Sequence, residues 1–215
     1  MARKVAGELY ESITGQLFEI GRQLRQPKGY SFDPDVLQKY LQNVIEGKFT
    51  QSDWREENGV IYFSVTSDGT SGQDWIKRLE SNGFQVSDWA KSILHSLDFK
   101  PTSGVTTEIA ILKGSLFSDS NRTTRNIYAE ADRRNLTKPN AEVGCLIREK
   151  FSDKEIKAMG LWWIVVMHEP IKDSDGDPAL LHVYRSARWL YASYGNPDSR
   201  WDPGNGFAFV VSQVF

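Results

Sequence analysis

"LWWIVVMHEPIKDSDGDPALLHVY", residues 161–184, decides how this chain is read. Two apolar runs rich in Val, Ile, Leu and aromatic residues flank a segment of Asp, Gly and Pro. Side chains of the first kind suit a pleated, half-buried surface, and those of the second bend and solvate a connection, so the stretch reads as two strands and a turn. Downstream, "WLYAS" (189–193) and "FAFVVSQV" (207–214) repeat the pattern. From residue 160 onward the chain therefore reads as a meander of strands.

Upstream the apolar period changes. Leu9, Ile13, Leu17, Ile20 and Leu24 recur at helical spacing, and Asp33, Pro34 and Gly47 bracket a second helix striped by Val36, Leu37, Tyr40, Leu41, Val44 and Ile45. "GVIYFSV" (59–65) and "VTTEIAILKG" (105–114) read as strands. Trp75, Ile76 and Leu79 mark one short helix, and Ala90, Ile93, Leu94 and Leu97 a second that Ser87 caps. A helix with an inner face of Ile127, Tyr128 and Ala131 is predicted over 119–134, a further one capped by Asn140, and another opened by the capping box "SDKE" (152–155). The expected fold is a single α+β domain over 1–215: a helical N-terminal two-thirds packed on a mainly antiparallel sheet built largely from the C-terminal third.

Composition bounds the function. With 40% hydrophobic and 25% charged residues in a chain of 215, an ordinary globular core is expected. The net charge of −2 supplies no global field toward nucleic acid or anionic lipid. The single Cys145 leaves no internal disulfide and no Cys-based zinc spacing, which fits a reducing compartment. The apolar run 161–167 is too short to span a bilayer, and the first fifteen residues lack the apolar core of a signal peptide, so a cytoplasmic location and no membrane partner are expected.

The acidic turn invites a metal reading. Asp173, Asp175 and Asp177 fit the first, third and fifth positions of a calcium loop, but Gly176 falls fourth, Pro178 sixth and Tyr184 twelfth, so the sharp glycine turn and the bidentate glutamate are lost. A solvent-exposed turn is the better reading, with a loosely held oxygen-ligated cation as the alternative. His168 and Glu169 stand where a strand leaves the core and His182 stands on the next strand, which makes these three the candidate catalytic residues of a metal-assisted, hydrolase-like site. Neighbours on a strand face opposite ways, so His168 and Glu169 do not readily share one task. No GxSxG, Walker A, GxGxxG or HExxH motif occurs, and Cys145 reads as a small core residue.

Two surfaces suggest binding. Arg122, Arg125, Arg133 and Arg134 form a basic stripe that would hold phosphates weakly at most, because Glu130 and Asp132 offset it. Trp163, Trp189, Tyr191 and Trp201 concentrate aromatic rings in the β region, where several bordering one groove would form a platform for a sugar, a base or a peptide. No cofactor is expected.

Finally, "TSDGTSGQDWIKRLESNGF", "SGVTTEIAILKG", "LTKPNAEVGCLIREKFSDKEIKAMGLWWIVVMHEPIKDSDGDP" and "GFAFVVSQV" together resemble a group of uncharacterised bacterial proteins of about this length. The resemblance implies a bacterial, soluble protein and carries no activity and no site residues. The expected function is a non-catalytic binding or regulatory protein acting on a protein or small-molecule ligand, with the hydrolase-like and nucleic-acid readings as alternatives.

Overall fold

The computed structural model describes residues 8–26, 37, 38, 41, 42, 45 and 53–212, in two units, Met1–Gln51 and Ser52–Phe215. In the first, helix α1 (Glu8–Leu24) follows the predicted stripe, with Ile13, Leu17 and Leu24 exposed. Leu37, Gln38, Leu41, Gln42 and Ile45 are helical, while the Asp33 cap, Pro34 and Gly47 lie outside the described residues.

The second unit is built on one sheet. Its strands are β1 (Arg55–Glu57), β2 (Val60–Asp68), β3 (Gln85–Val86), β4 (Ser103–Lys113), β5 (Leu136–Thr137), β6 (Trp163–Val166), β7 (Ile171–Lys172), β8 (Pro178–Tyr184), β9 (Trp189–Tyr194) and β10 (Asn205–Val211). Its helices are α2 (Gly72–Ser81), α3 (Asp88–His95), α4 (Thr124–Arg133), α5 (Val143–Lys150) and α6 (Asp153–Ala158). The strand order is β1-β2-β4-β10-β6-β8-β9-β3, with β5 on β10 and β7 on β8.

This layout corrects the expected one. Helix is not gathered in the N-terminal two-thirds, nor the sheet in the C-terminal third: β2 and β4, nine and eleven residues long, precede residue 114 and pair with each other over almost their whole length. Up to Ala158 strands and helices are interleaved, and from Trp163 onward the described elements are strands alone. The sheet is mixed, with β10 parallel to β6 and β3 parallel to β9. Nor does the meander continue to the end. β6, β8 and β9 are sequential antiparallel neighbours, but β10 returns to the middle of the sheet between β4 and β6. Residues 205–209 are buried without a break, so both faces of β10 need covering, which only an interior strand obtains.

The caps follow the local chemistry. Ser71, Ser87 and Thr123 accept from the third residue of their helices, and Ser152 and Glu155 form a complete capping box. The helix expected from residue 119 begins at Thr124, because Arg122 is held in the preceding loop. Asn140 accepts from the Glu142 amide in a turn that leads into α5 rather than capping it directly.

Helices α2, α3, α5 and α6 bury Trp75, Leu79, Ile93, Ile147 and Ile156 against one face of the sheet. On the other face α4 sets Ile127 and Ala131 over Leu112, Val165, Phe207 and Phe209. The junction of α2 and α3 leaves no room for a side chain, since a Cβ on Gly72 would lie 1.8 Å from the Leu94 carbonyl oxygen. Gly72→Ala must therefore push the backbones of the two helices apart, and urea unfolding is expected to show a loss of about 3 kcal/mol. A loss under about 1 kcal/mol would mean that the pair separates freely.

Candidate functional site

Strand register arranges the aromatic residues. On the sheet face that carries α4, Asn205 of β10 stands opposite Trp163 of β6, Trp163 opposite Tyr184 of β8, and Tyr184 opposite Trp189 of β9. These four side chains form one straight row across four strands, about 14 Å long at the usual strand spacing. The next row on the same face runs Phe207, Val165, His182, Tyr191. Trp163, Tyr184, Trp189 and Tyr191 are half-buried, so the rows form a ring-lined surface rather than a closed core.

The rings brace one another. Trp163 stacks on Tyr184 at 4.1 Å between centroids and on His182 at 4.7 Å. Tyr184 and His182 are two apart on β8, so the indole is wedged between them and both of its faces are taken. Trp189 leans on Tyr191 at 4.9 Å. The outward surfaces available for stacking are thus those of Tyr184, Trp189 and Tyr191. Trp201 stands apart: its indole N–H donates to the Thr124 hydroxyl at 2.9 Å, and its ring meets Phe207 edge-on at the start of α4.

Two buried polar atoms lie within these rows without a hydrogen-bond partner, Nε2 of His182 and Oδ1 of Asn205. His182 is 6% exposed and is held by the backbone of Ala192, and burial pushes its pKa down to about 4. The imidazole is therefore neutral at physiological pH.

His168 is placed elsewhere. It follows the end of β6 and bonds the backbone of Glu169 and Leu181, whereas the His182 ring stacks on Trp163, so the two imidazoles share no partner side chain and do not form one site. The His168 Nε2 accepts from the Leu181 amide at 3.0 Å, which leaves Nδ1 to donate to the Glu169 carbonyl at 2.7 Å. With both nitrogens bonded to backbone and burial pushing its pKa to about 4, the ring ties the end of β6 to β8. Glu169 points to solvent and pairs with Lys138 at 2.5 Å. The 168–170 segment separates two clefts of about 480 Å³ each, one bordered by Lys100, Pro139 and Asn140, the other by Tyr128, Pro178 and Pro197.

The acidic segment is a tight turn. The Asp173 carboxylate accepts from the amides of Asp175 and Asp177 at 2.9 and 3.1 Å, and Gly176 adopts a φ of +88°. Asp175 and Asp177 are exposed. Among the described residues no three His, Cys, Asp or Glu side chains gather into a metal-holding group.

The basic stripe is largely engaged. Arg122 is buried and donates to the carbonyls of Gly114 and Phe117 at 2.9 and 2.8 Å, so it holds loops together and presents no charge outward. Arg125 pairs with Asp198 at 3.0 Å, and Arg133 and Arg134 both pair with Glu130.

Sequence reading did not reach Asn205, Asp202 or Arg148. Asn205 joins the row only because β10 inserts beside β6, and no local pattern records that pairing. Arg148 is fully buried in α5, donating to the carbonyls of Tyr184 and Phe151 at 2.8 and 2.5 Å, and thereby fixes the backbone of the row from the other side of the sheet. Its sequence signal is slight, an arginine directly after the apolar run 143–147 and before two further charged residues. Among the described residues no helix is long and apolar enough to cross a membrane. No family model, no curated protein and no solved structure matches the chain.

Proposed function

We propose that this is a non-catalytic binding protein, bacterial and cytoplasmic, whose ligand carries a planar ring that stacks on Tyr184, Trp189 and the adjoining Tyr191, with Trp163 bracing Tyr184 from behind. The observation that carries the reading is the row itself: rigid, half-exposed rings in register across adjacent strands, with few rotamers to lose when a ligand orders them. The buried histidine beneath it is neutral and braced, which suits support of the rings better than proton transfer. Cys145, fully buried with its thiol pushed up in pKa, is an unreactive core residue, in keeping with a non-catalytic reading.

The test is calorimetric titration with indole, adenosine and phenyl glucoside on wild type and on Trp189→Ala, whose half-exposed ring is replaced at little risk to the core. At least one ring compound is expected to bind, with tenfold or greater weakening in the variant, in line with about 1–3 kcal/mol per stacked ring. Absence of binding by all three, or binding indifferent to Trp189, would sink the reading.

A further inference from the structure

At its β10 end the row opens into a cavity of about 250 Å³ lined by Trp162, Trp163, Asp202 and Asn205. Pockets that enclose whole ligands run from about 300 Å³ upward, so this one suits a headgroup whose remainder lies along the row.

The lining carries two acceptor groups, and the Asn205 side chain adds its own amide donor. Asn205 is 5% exposed, and its Oδ1 is a buried acceptor with no partner. Such a group stays desolvated at a cost until a donor reaches it. Asp202 is exposed, and among the described residues no cation pairs with its carboxylate. Trp162, 50% exposed, carries the Arg185 guanidinium on one face at 3.4 Å from the ring centroid. The unpartnered Asn205 acceptor and the Asp202 carboxylate favour a ligand group that carries positive charge and donates hydrogen bonds.

The loop bearing these groups is held in place. The Trp162 amide donates to the Gly204 carbonyl at 2.8 Å and the Asn205 amide to the Asp202 carbonyl at 3.0 Å. Two glycines make the close packing feasible: a Cβ on Gly204 would lie 2.6 Å from Trp162 Cδ1, and one on Gly114 would lie 2.7 Å from the Asp202 carbonyl oxygen. Acceptors fixed before the ligand arrives lose little freedom on binding it.

We infer that this cavity is an ammonium site, in which a protonated primary amine of the ring-bearing ligand donates to Asn205 Oδ1 and to the Asp202 carboxylate between the Trp162 and Trp163 side chains. The inference rests on the stacking reading above and adds the charge of the ligand to it. A divalent metal is the weaker fit, since calcium takes six to eight oxygens and the site offers one carboxylate and one amide. A quaternary ammonium has no N–H and leaves the Asn205 acceptor unmet.

Tryptamine and its uncharged isostere 3-propylindole separate the two ideas. By calorimetry at pH 7 the wild type is expected to bind tryptamine at least tenfold tighter than 3-propylindole, with the preference reduced to less than threefold in Asp202→Asn and in Asn205→Leu. The exposed Asp202 is replaced without disturbing the core, so that variant remains informative if Asn205→Leu folds poorly. Equal binding of the two compounds, or a preference that survives Asp202→Asn, overturns the ammonium site and leaves the stacking platform standing. Failure of both compounds to bind overturns the two together. Displacement of tryptamine by micromolar calcium would assign the site to the metal instead.

Discussion

Between pH 6.5 and pH 4 the unit of residues 52–215 is expected to lose about 6 kcal/mol of stability, enough to unfold an ordinary domain. Two buried histidines cause it. His168 and His182, 1% and 6% exposed, both have pKa values pushed from 6.5 to about 4 by burial. A lowered pKa on a base means that the unfolded chain takes up the proton first as the pH falls. Stability is therefore complete above about 6.5, falls through the window, and levels off near 4, where the folded protein protonates as well. A displacement of that size is worth about 3 kcal/mol per histidine. One ring is bonded to the Leu181 amide and the other stacks on Trp163, and both contribute in the same direction.

For His168 the cost has a visible cause. Its Nε2 lone pair accepts from the Leu181 amide, and a proton there would turn acceptor against donor. Carboxylates act in a different range: Asp68, held down at about 2 by Thr70 and Arg78, sheds its contribution only below its ordinary value of 3.8. Urea midpoints at pH 7, 5.5 and 4.5 measure the effect. His182→Phe keeps a ring beside Trp163 without a titrating group, and it should halve the slope. A wild type equally stable at pH 7 and 4.5, or a variant with an undiminished slope, would show that the rings are hydrated.

Arg148→Ala is expected to cost about 3–5 kcal/mol, the usual penalty for breaking a buried charge cluster from one side. The guanidinium is fully buried, bonds the carbonyls of Tyr184 and Phe151, and lies 3.1 Å from Asp153 Oδ1. That last contact has the distance of an ion pair without the alignment of a hydrogen bond, since Arg148 Nε and Asp153 Oδ1 both lack a hydrogen-bond partner. Most of the loss should therefore come from the two orphaned carbonyls and from the emptied volume. Arg148→Met, which keeps the packing of the stem, should recover some of it. Denaturant unfolding of both variants decides the matter, and a loss below about 1 kcal/mol for Arg148→Ala would mean that water reaches the vacated acceptors. Because Tyr184 hangs from one of those carbonyls, the surviving fold should also bind ring compounds less well.

The amino-acid sequence by itself determined the local elements. Helical spacing of Trp75, Ile76 and Leu79, the serine caps at Ser87 and Ser152, and the β-rich run at 161–167 each describe a structure whose forces act within a few residues, and each stands in the fold. The Asp173 turn was legible for the same reason, since its hydrogen bonds close within five residues. Sheet order was not. Nothing near residue 207 says that β10 leaves the meander to lie between β4 and β6, because pairing energy depends on which partner buries both faces of a strand, and that partner is set by the whole chain. The layout of helix before sheet failed at this point, as did any view of the row. Trp163, Tyr184 and Trp189 are aromatic in any reading, but register alone turns them into one line ending at Asn205, and only the tertiary structure gives His168 and His182 separate partners. Side-chain chemistry is written locally, whereas convergence is a property of tertiary packing.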